Sequence, residues 1–98
     1  MIPDEREQLQ TAVLRWLIQK DKRHGLPGNF LLACAKSEMW PDLTMDDLQP
    51  ELEYLAAPDN AYGKALILRV ILLSPGASPW KLTAGGRDFA INLGLAKQ

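Results

Sequence analysis

The sequence predicts a single α+β domain: three helices, a short antiparallel hairpin and a final helix. Three observations carry that expectation. Apolar residues recur at helical spacing through the first half of the chain, which at 98 residues has the length of one ordinary domain. One later run, Ala65 to Leu73, is instead dense in Ile and Leu and is closed by Ser74-Pro75-Gly76-Ala77-Ser78-Pro79, which no regular element can cross. A second apolar stretch, Trp80-Lys81-Leu82, follows that loop at the right place for a return strand.

The first helix is read from Pro3-Asp4-Glu5-Arg6-Glu7, where Asp4 can cap and Glu7 can reach back to the cap amide. Leu9, Ala12, Val13, Trp16 and Leu17 follow on one face, and the helix runs out between Lys20 and Arg23 before His24-Gly25. Pro27 suits the first turn of a second, mostly buried helix through Phe30 to Ala35, which Trp40-Pro41 interrupts. Thr44 and Asp47 form a capping box for a third helix with Leu48, Leu52 and Leu55 inside. Pro50 predicts a kink there, or a split into a short turn and a longer piece. For residues 65–73 a strand is expected and a buried helix is the alternative, because periodicity alone does not separate the two in a short apolar run. Thr83 then caps a last helix through Arg87, Phe89, Ala90 and Leu93, which Gly94 terminates.

Composition narrows the function. At 47% apolar and 23% charged, the chain matches a globular protein. Its apolar runs fall far short of the roughly 20 residues that span a bilayer, and no basic start leads into an apolar stretch, so neither a membrane span nor a secretory leader is expected. The lone Cys34 excludes an internal disulfide and a multi-cysteine zinc site, which points to a reducing compartment, the cytoplasm.

The net charge of -1 hides a segregation. Residues 1–37 hold six basic and four acidic side chains, and residues 60–98 hold five basic side chains against Asp88 alone. Between them Glu38, Asp42, Asp46, Asp47, Glu51, Glu53 and Asp59 stand without a single Lys or Arg. The simplest reading of this segment is a solvated face that keeps a near-neutral protein soluble.

The segment Trp80-Lys81-Leu82-Thr83-Ala84-Gly85-Gly86-Arg87-Asp88-Phe89 resembles the wing-to-last-helix signature of the winged-helix superfamily, where an aromatic, a Leu-Thr pair and a downstream Gly-Arg recur. Leu48-Gln49-Pro50-Glu51-Leu52-Glu53-Tyr54-Leu55 is similar to that superfamily's third helix, and the element order is similar throughout. Small winged-helix proteins of bacteria and their prophages come nearest in layout. The resemblance implies a regulatory protein whose third helix and wing meet double-stranded DNA. The residues themselves give Leu82 a core position, make Thr83 a cap, let Gly85 and Gly86 bring the last helix close to the sheet, and set Trp80 as a lid on the core, with an exposed contact residue as the alternative.

The candidate DNA contacts are basic: Lys20, Lys22 and Arg23, with His24, at the end of the first helix, and Lys64, Lys81 and Arg87, with Arg69, around the wing. Arg69, set in an apolar run, has pairing with an acid of the third helix as its other expected role. The third helix offers acids on its outer face, Asp46, Asp47, Glu51 and Glu53, which oppose a polyanion. These four and Tyr54 are therefore the candidates for a second reading, a module that docks a protein partner or a second copy of itself. Tyr62 and Met39 support that reading, as does an expected unpaired stretch of the Ala65 to Leu73 strand, for which cover by the chain connecting the first two helices is the alternative. Catalysis is not expected. One histidine and one cysteine give no redundancy for a dyad, with His24 in a basic helix end and Cys34 in the apolar second helix; the acids match no calcium loop, and Gly85-Gly86 is too short for a phosphate loop. No cofactor, metal or small-molecule substrate is implied.

Overall fold

The computed structural model describes residues 2–21, 24–70 and 79–96. Among them are four helices and a two-stranded antiparallel sheet: α1 (Pro3–Lys20), α2 (Gly28–Glu38), α3 (Met45–Ala56), β1 (Ile67–Arg69), β2 (Trp80–Leu82) and α4 (Ala84–Asn92). The expected α+β class and element order hold.

In α1 the stripe Leu9, Ala12, Val13, Leu14, Trp16 and Leu17 is buried, so the helix forms one wall of the core. Its start differs from the expected one. Ile2 is the cap, Pro3 takes the first helical position, and the Glu5 carboxylate accepts the Ile2 N–H at 3.3 Å. Proline fixes φ and loses only a donor that the first turn leaves unpaired anyway, so the helix begins two residues earlier than a cap at Asp4 requires. It ends at Lys20, where the Asp21 N–H closes onto the Leu17 carbonyl. The Trp16 indole N–H is buried without an acceptor among the described residues.

Pro27 is the cap of α2 rather than part of its first turn. The helix is amphipathic and not mostly buried: Leu31, Cys34 and Ala35 face inward, while Phe30, Ala33 and Lys36 are exposed. A stretch rich in small apolar residues thus reads as more buried than the packing makes it.

The capping box of α3 is present, with Asp47 accepting the Thr44 N–H at 3.1 Å. Pro50 does not split the helix, which runs through it from Met45 to Ala56. Leu48, Leu52 and Leu55, all fully buried, hold the two halves to the core across the missing hydrogen bond. At the far end the buried Asn60 donates its amide to the carbonyls of Tyr54 at 3.1 Å and Ala57 at 3.0 Å, satisfying acceptors that a helix end leaves orphaned.

β1 pairs with β2 in the register Ile67 to Leu82, Leu68 to Lys81 and Arg69 to Trp80. The strand is shorter than the Ala65 to Leu73 run, of which residues 71–73 lie outside the described residues along with most of the loop. Its described flanks are bonded rather than free: the Leu66 N–H goes to the Leu55 carbonyl at 2.8 Å, and the Val70 N–H goes to the Pro79 carbonyl at 2.7 Å. The other edge of β2 is taken by Leu26, which exchanges two backbone bonds with Trp80, each 2.9 Å. Gly25 makes this bridge possible: its φ is +82°, and a Cβ there would sit 2.8 Å from the Trp80 carbonyl oxygen.

Thr83 caps α4, accepting the Gly86 N–H at 2.9 Å, and Gly94 at φ +75° follows the helix end. A Cβ on Gly86 would overlap the Leu66 carbonyl, so this glycine is what lets α4 lie against the strand. Trp80, only 4% exposed, closes the core beneath the hairpin as expected.

Candidate nucleic-acid and protein interface

Four of the described basic candidates fall at two junctions of the fold. Lys20 is exposed in the last turn of α1. It precedes the turn in which Asp21 accepts the Gly25 N–H at 2.9 Å, and the stem of Lys81 lies against Gly25. Lys81 sits in the middle of β2, between two buried residues and opposite the exposed Leu68, so it belongs to the outer side of the hairpin. At the second junction the exposed Lys64 lays its stem over Gly85 in the first turn of α4, the helix that also carries the exposed Arg87. Lys22 and Arg23 lie outside the described residues. His24 is exposed.

The acidic candidates divide by face. Asp46, Asp47 and Glu53 are exposed, and Asp47 spends one oxygen on the cap of its own helix. Glu51 is not on the outer face. It is buried and forms the centre of a polar network between α1 and α3. Arg6 Nε donates to both of its carboxylate oxygens, at 3.2 and 3.1 Å, and Gln10 Nε2 donates to Oε1 at 2.8 Å. Tyr62 Oη in turn donates to Gln10 Oε1 at 2.6 Å. A carboxylate removed from water needs partners of this kind, and Glu51 has three donated bonds.

Tyr54 is half-buried and already has partners within the chain. Its hydroxyl accepts the Ala61 N–H at 2.8 Å, its ring stands edge-on to Tyr62, and Arg6 lies over it at 5.6 Å from the centroid. Tyr62 meets Phe89 at 5.1 Å between centroids. Burial, with the nearby charge of Glu7, pushes the Tyr62 hydroxyl above its ordinary value, so it stays a donor. Met39 is half-buried against the core.

Arg69 does not pair with an acid of α3. Its guanidinium stacks on Trp80, 4.7 Å from the ring centroid. Arg69, Trp80, Glu53, Ala56 and Ala57 line one open cleft of about 350 Å3 between α3 and the hairpin. Sequence reasoning did not bring these five together, because the cleft depends on the hairpin register, which places Arg69 opposite Trp80.

Cys34 is buried, and desolvation pushes its thiol up, with the Lys20 charge acting against that and the Glu38 charge adding to it. The side chain packs within the core cluster. Among the described residues no three His, Cys, Asp or Glu side chains gather as metal ligands would, and no helix is long and apolar enough to cross a membrane. No family model, no curated protein and no solved structure matches this chain.

Proposed function

We propose that this chain is a small non-catalytic regulatory protein of winged-helix type, cytoplasmic and associated with double-stranded DNA. One observation carries the reading above the others: Leu26 from the α1–α2 connection takes one edge of β2 while β1 takes the other. A three-helix core thereby holds a hairpin beside the C-terminal half of α3, the layout in which a third helix and a wing share one surface.

Electrostatics sets the pose. The outer face of α3 has Asp46, Asp47 and Glu53 and no Lys or Arg, so pressing it into a groove lined by phosphates is unfavourable. Phosphate contacts then fall to Lys20 and Lys81 at one junction and to Lys64 and Arg87 at the other. A residue-resolved NMR titration with a mixed-sequence duplex at about 50 mM salt tests this. Shifts are expected at those residues and lost as salt rises, with Lys64→Glu and Arg87→Glu weakening binding and Glu53→Ala leaving it unchanged or stronger. A spectrum that stays flat at low salt overturns the reading.

A second reading is favoured by one specific observation: Asp46 and Glu53 are exposed on α3 and bond to nothing among the described residues. A protein partner is then the ligand, and Asp46→Asn with Glu53→Gln would abolish its binding while duplex titrations stay as they were.

A further inference from the structure

The cleft between α3 and the hairpin holds two opposite charges that do not meet. Glu53 and Arg69 both line it and both are exposed, yet no ion pair joins them, and among the described residues the guanidinium is engaged only with the Trp80 ring. Trp80 is anchored at both edges of its strand, by Leu26 and by β1, so the stack holds the Arg69 guanidinium in place instead of leaving it on a loose stem. Ala56 at the end of α3 and its cap Ala57 also line the cleft, and their small side chains permit close approach.

A cleft with one cation stacked in place and one anion unpaired among the described residues suits neither a polyanion nor a polycation. Phosphate would meet Glu53, and a basic peptide would meet Arg69. The complementary surface presents an anion to Arg69 and a cation to Glu53, which is the same pair of residues turned about a two-fold axis. We propose that this cleft is a self-association surface, with a second copy of the chain docking so that Arg69 of each copy meets the partner's Glu53. The cleft is small beside a stable interface, which buries on the order of 1,200 Å2 or more, so the dimer is weak and salt-sensitive.

Sedimentation velocity without DNA, at about 50 mM salt and protein up to about 0.5 mM, tests this. Wild type should show a concentration-dependent dimer that dissociates as salt rises. Glu53→Arg and Arg69→Glu should each weaken it at least tenfold, since each places like charges face to face. An equimolar mixture of the two variants, or the double swap within one chain, should restore it, because both then regain opposite charges at each contact. Wild-type monomer throughout, or a dimer indifferent to the single variants, overturns the proposal. Should a variant fold poorly, a concentration series of wild-type NMR spectra replaces it: shifts must centre on Glu53, Ala56, Ala57 and Arg69, and shifts elsewhere reject the surface. Because DNA is absent, DNA binding by a strict monomer would reject this inference alone, and a dimer without DNA binding would reject the earlier reading alone.

Discussion

Glu51 and Glu53 are the same residue, two positions apart on one helix, with opposite fates. Two residues turn an α-helix by about 200°, so one carboxylate enters the core side and the other faces water. Glu51 sits among Leu48, Leu52 and Leu55 and holds three donated bonds from Arg6 and Gln10. Glu53 holds none among the described residues. Gly85 and Gly86 repeat the contrast in α4: a Cβ on Gly86 would overlap the backbone of Leu66, whereas one on Gly85 would meet only the flexible stem of Lys64 at 3.1 Å. In both pairs the neighbouring element, not the residue type, decides what the residue does.

The glycine pair gives the largest expected effect. Gly86→Ala forces α4 away from β1, because a carbonyl cannot step aside as a side chain can. A loss of about 3 kcal/mol or more is expected, read as a lower urea midpoint or a failure to unfold cooperatively. Gly85→Ala should cost less than about 1 kcal/mol, and the gain in helix propensity offsets part of it. Equal losses at the two positions would break the contrast.

The acid pair comes next. Glu51→Ala leaves the Gln10 amide and the inward side of Arg6 without their acceptor. A buried ion pair broken on one side costs roughly 3–5 kcal/mol, but Arg6 is 44% exposed and can turn to water, so about 2 kcal/mol is the expected loss. Glu53→Ala should fall within about 0.5 kcal/mol of wild type. Denaturant unfolding at micromolar protein measures both.

Those two helices also show what a sequence makes legible. The cap at Thr44, the cap at Thr83, the return strand Trp80–Leu82 and the stop at Gly94 were readable, because each rests on a local bond or dihedral that a few neighbouring letters specify. The leucine stripe of α3 was readable for the same reason. The inward turn of Glu51 was not, since it depends on Arg6 and Gln10, more than forty positions away, arriving on a packed α1. A charge count therefore assigned four acids to the outer face of α3, where three are found. The helical continuity through Pro50 was hidden in the same way, by tertiary packing that outweighs one lost bond. Of the proposed contact residues, the exposed basic ones were legible from charge alone. The Glu53–Arg69 cleft was not, because it joins a helix to a strand through a register no local pattern sets.

Tyr62 extends the inner network and adds a pH dependence. Tyr62→Phe removes the hydroxyl that donates to Gln10 and should cost about 1 kcal/mol near neutral pH. In the folded chain its hydroxyl holds its proton to a higher pH than in the unfolded one. The folded state therefore binds more protons once the unfolded tyrosine begins to ionise, and stability falls as pH rises from near 10 towards the folded value. Below that window the contribution is fully present. Melting curves between pH 8 and 11 should show a decline for wild type that is shallower in Tyr62→Phe, and parallel declines would remove Tyr62 from the network's energetics.

The smallest expected effect separates the two acid–arginine pairs most sharply. Arg6 and Glu51 touch, so a double-mutant cycle with Arg6→Ala and Glu51→Ala should return a coupling of about 1 kcal/mol. Glu53 and Arg69 line one cleft without meeting, so their cycle at micromolar protein should return roughly 0.3 kcal/mol or less. If the cleft binds a second copy, that second coupling should grow as the protein approaches millimolar concentration, while the Arg6–Glu51 coupling stays fixed. A coupling between Glu53 and Arg69 that is large and independent of concentration would mean that the pair closes within one chain, and the distinction between an inner acid that stabilises the fold and an outer acid left for a partner would fail.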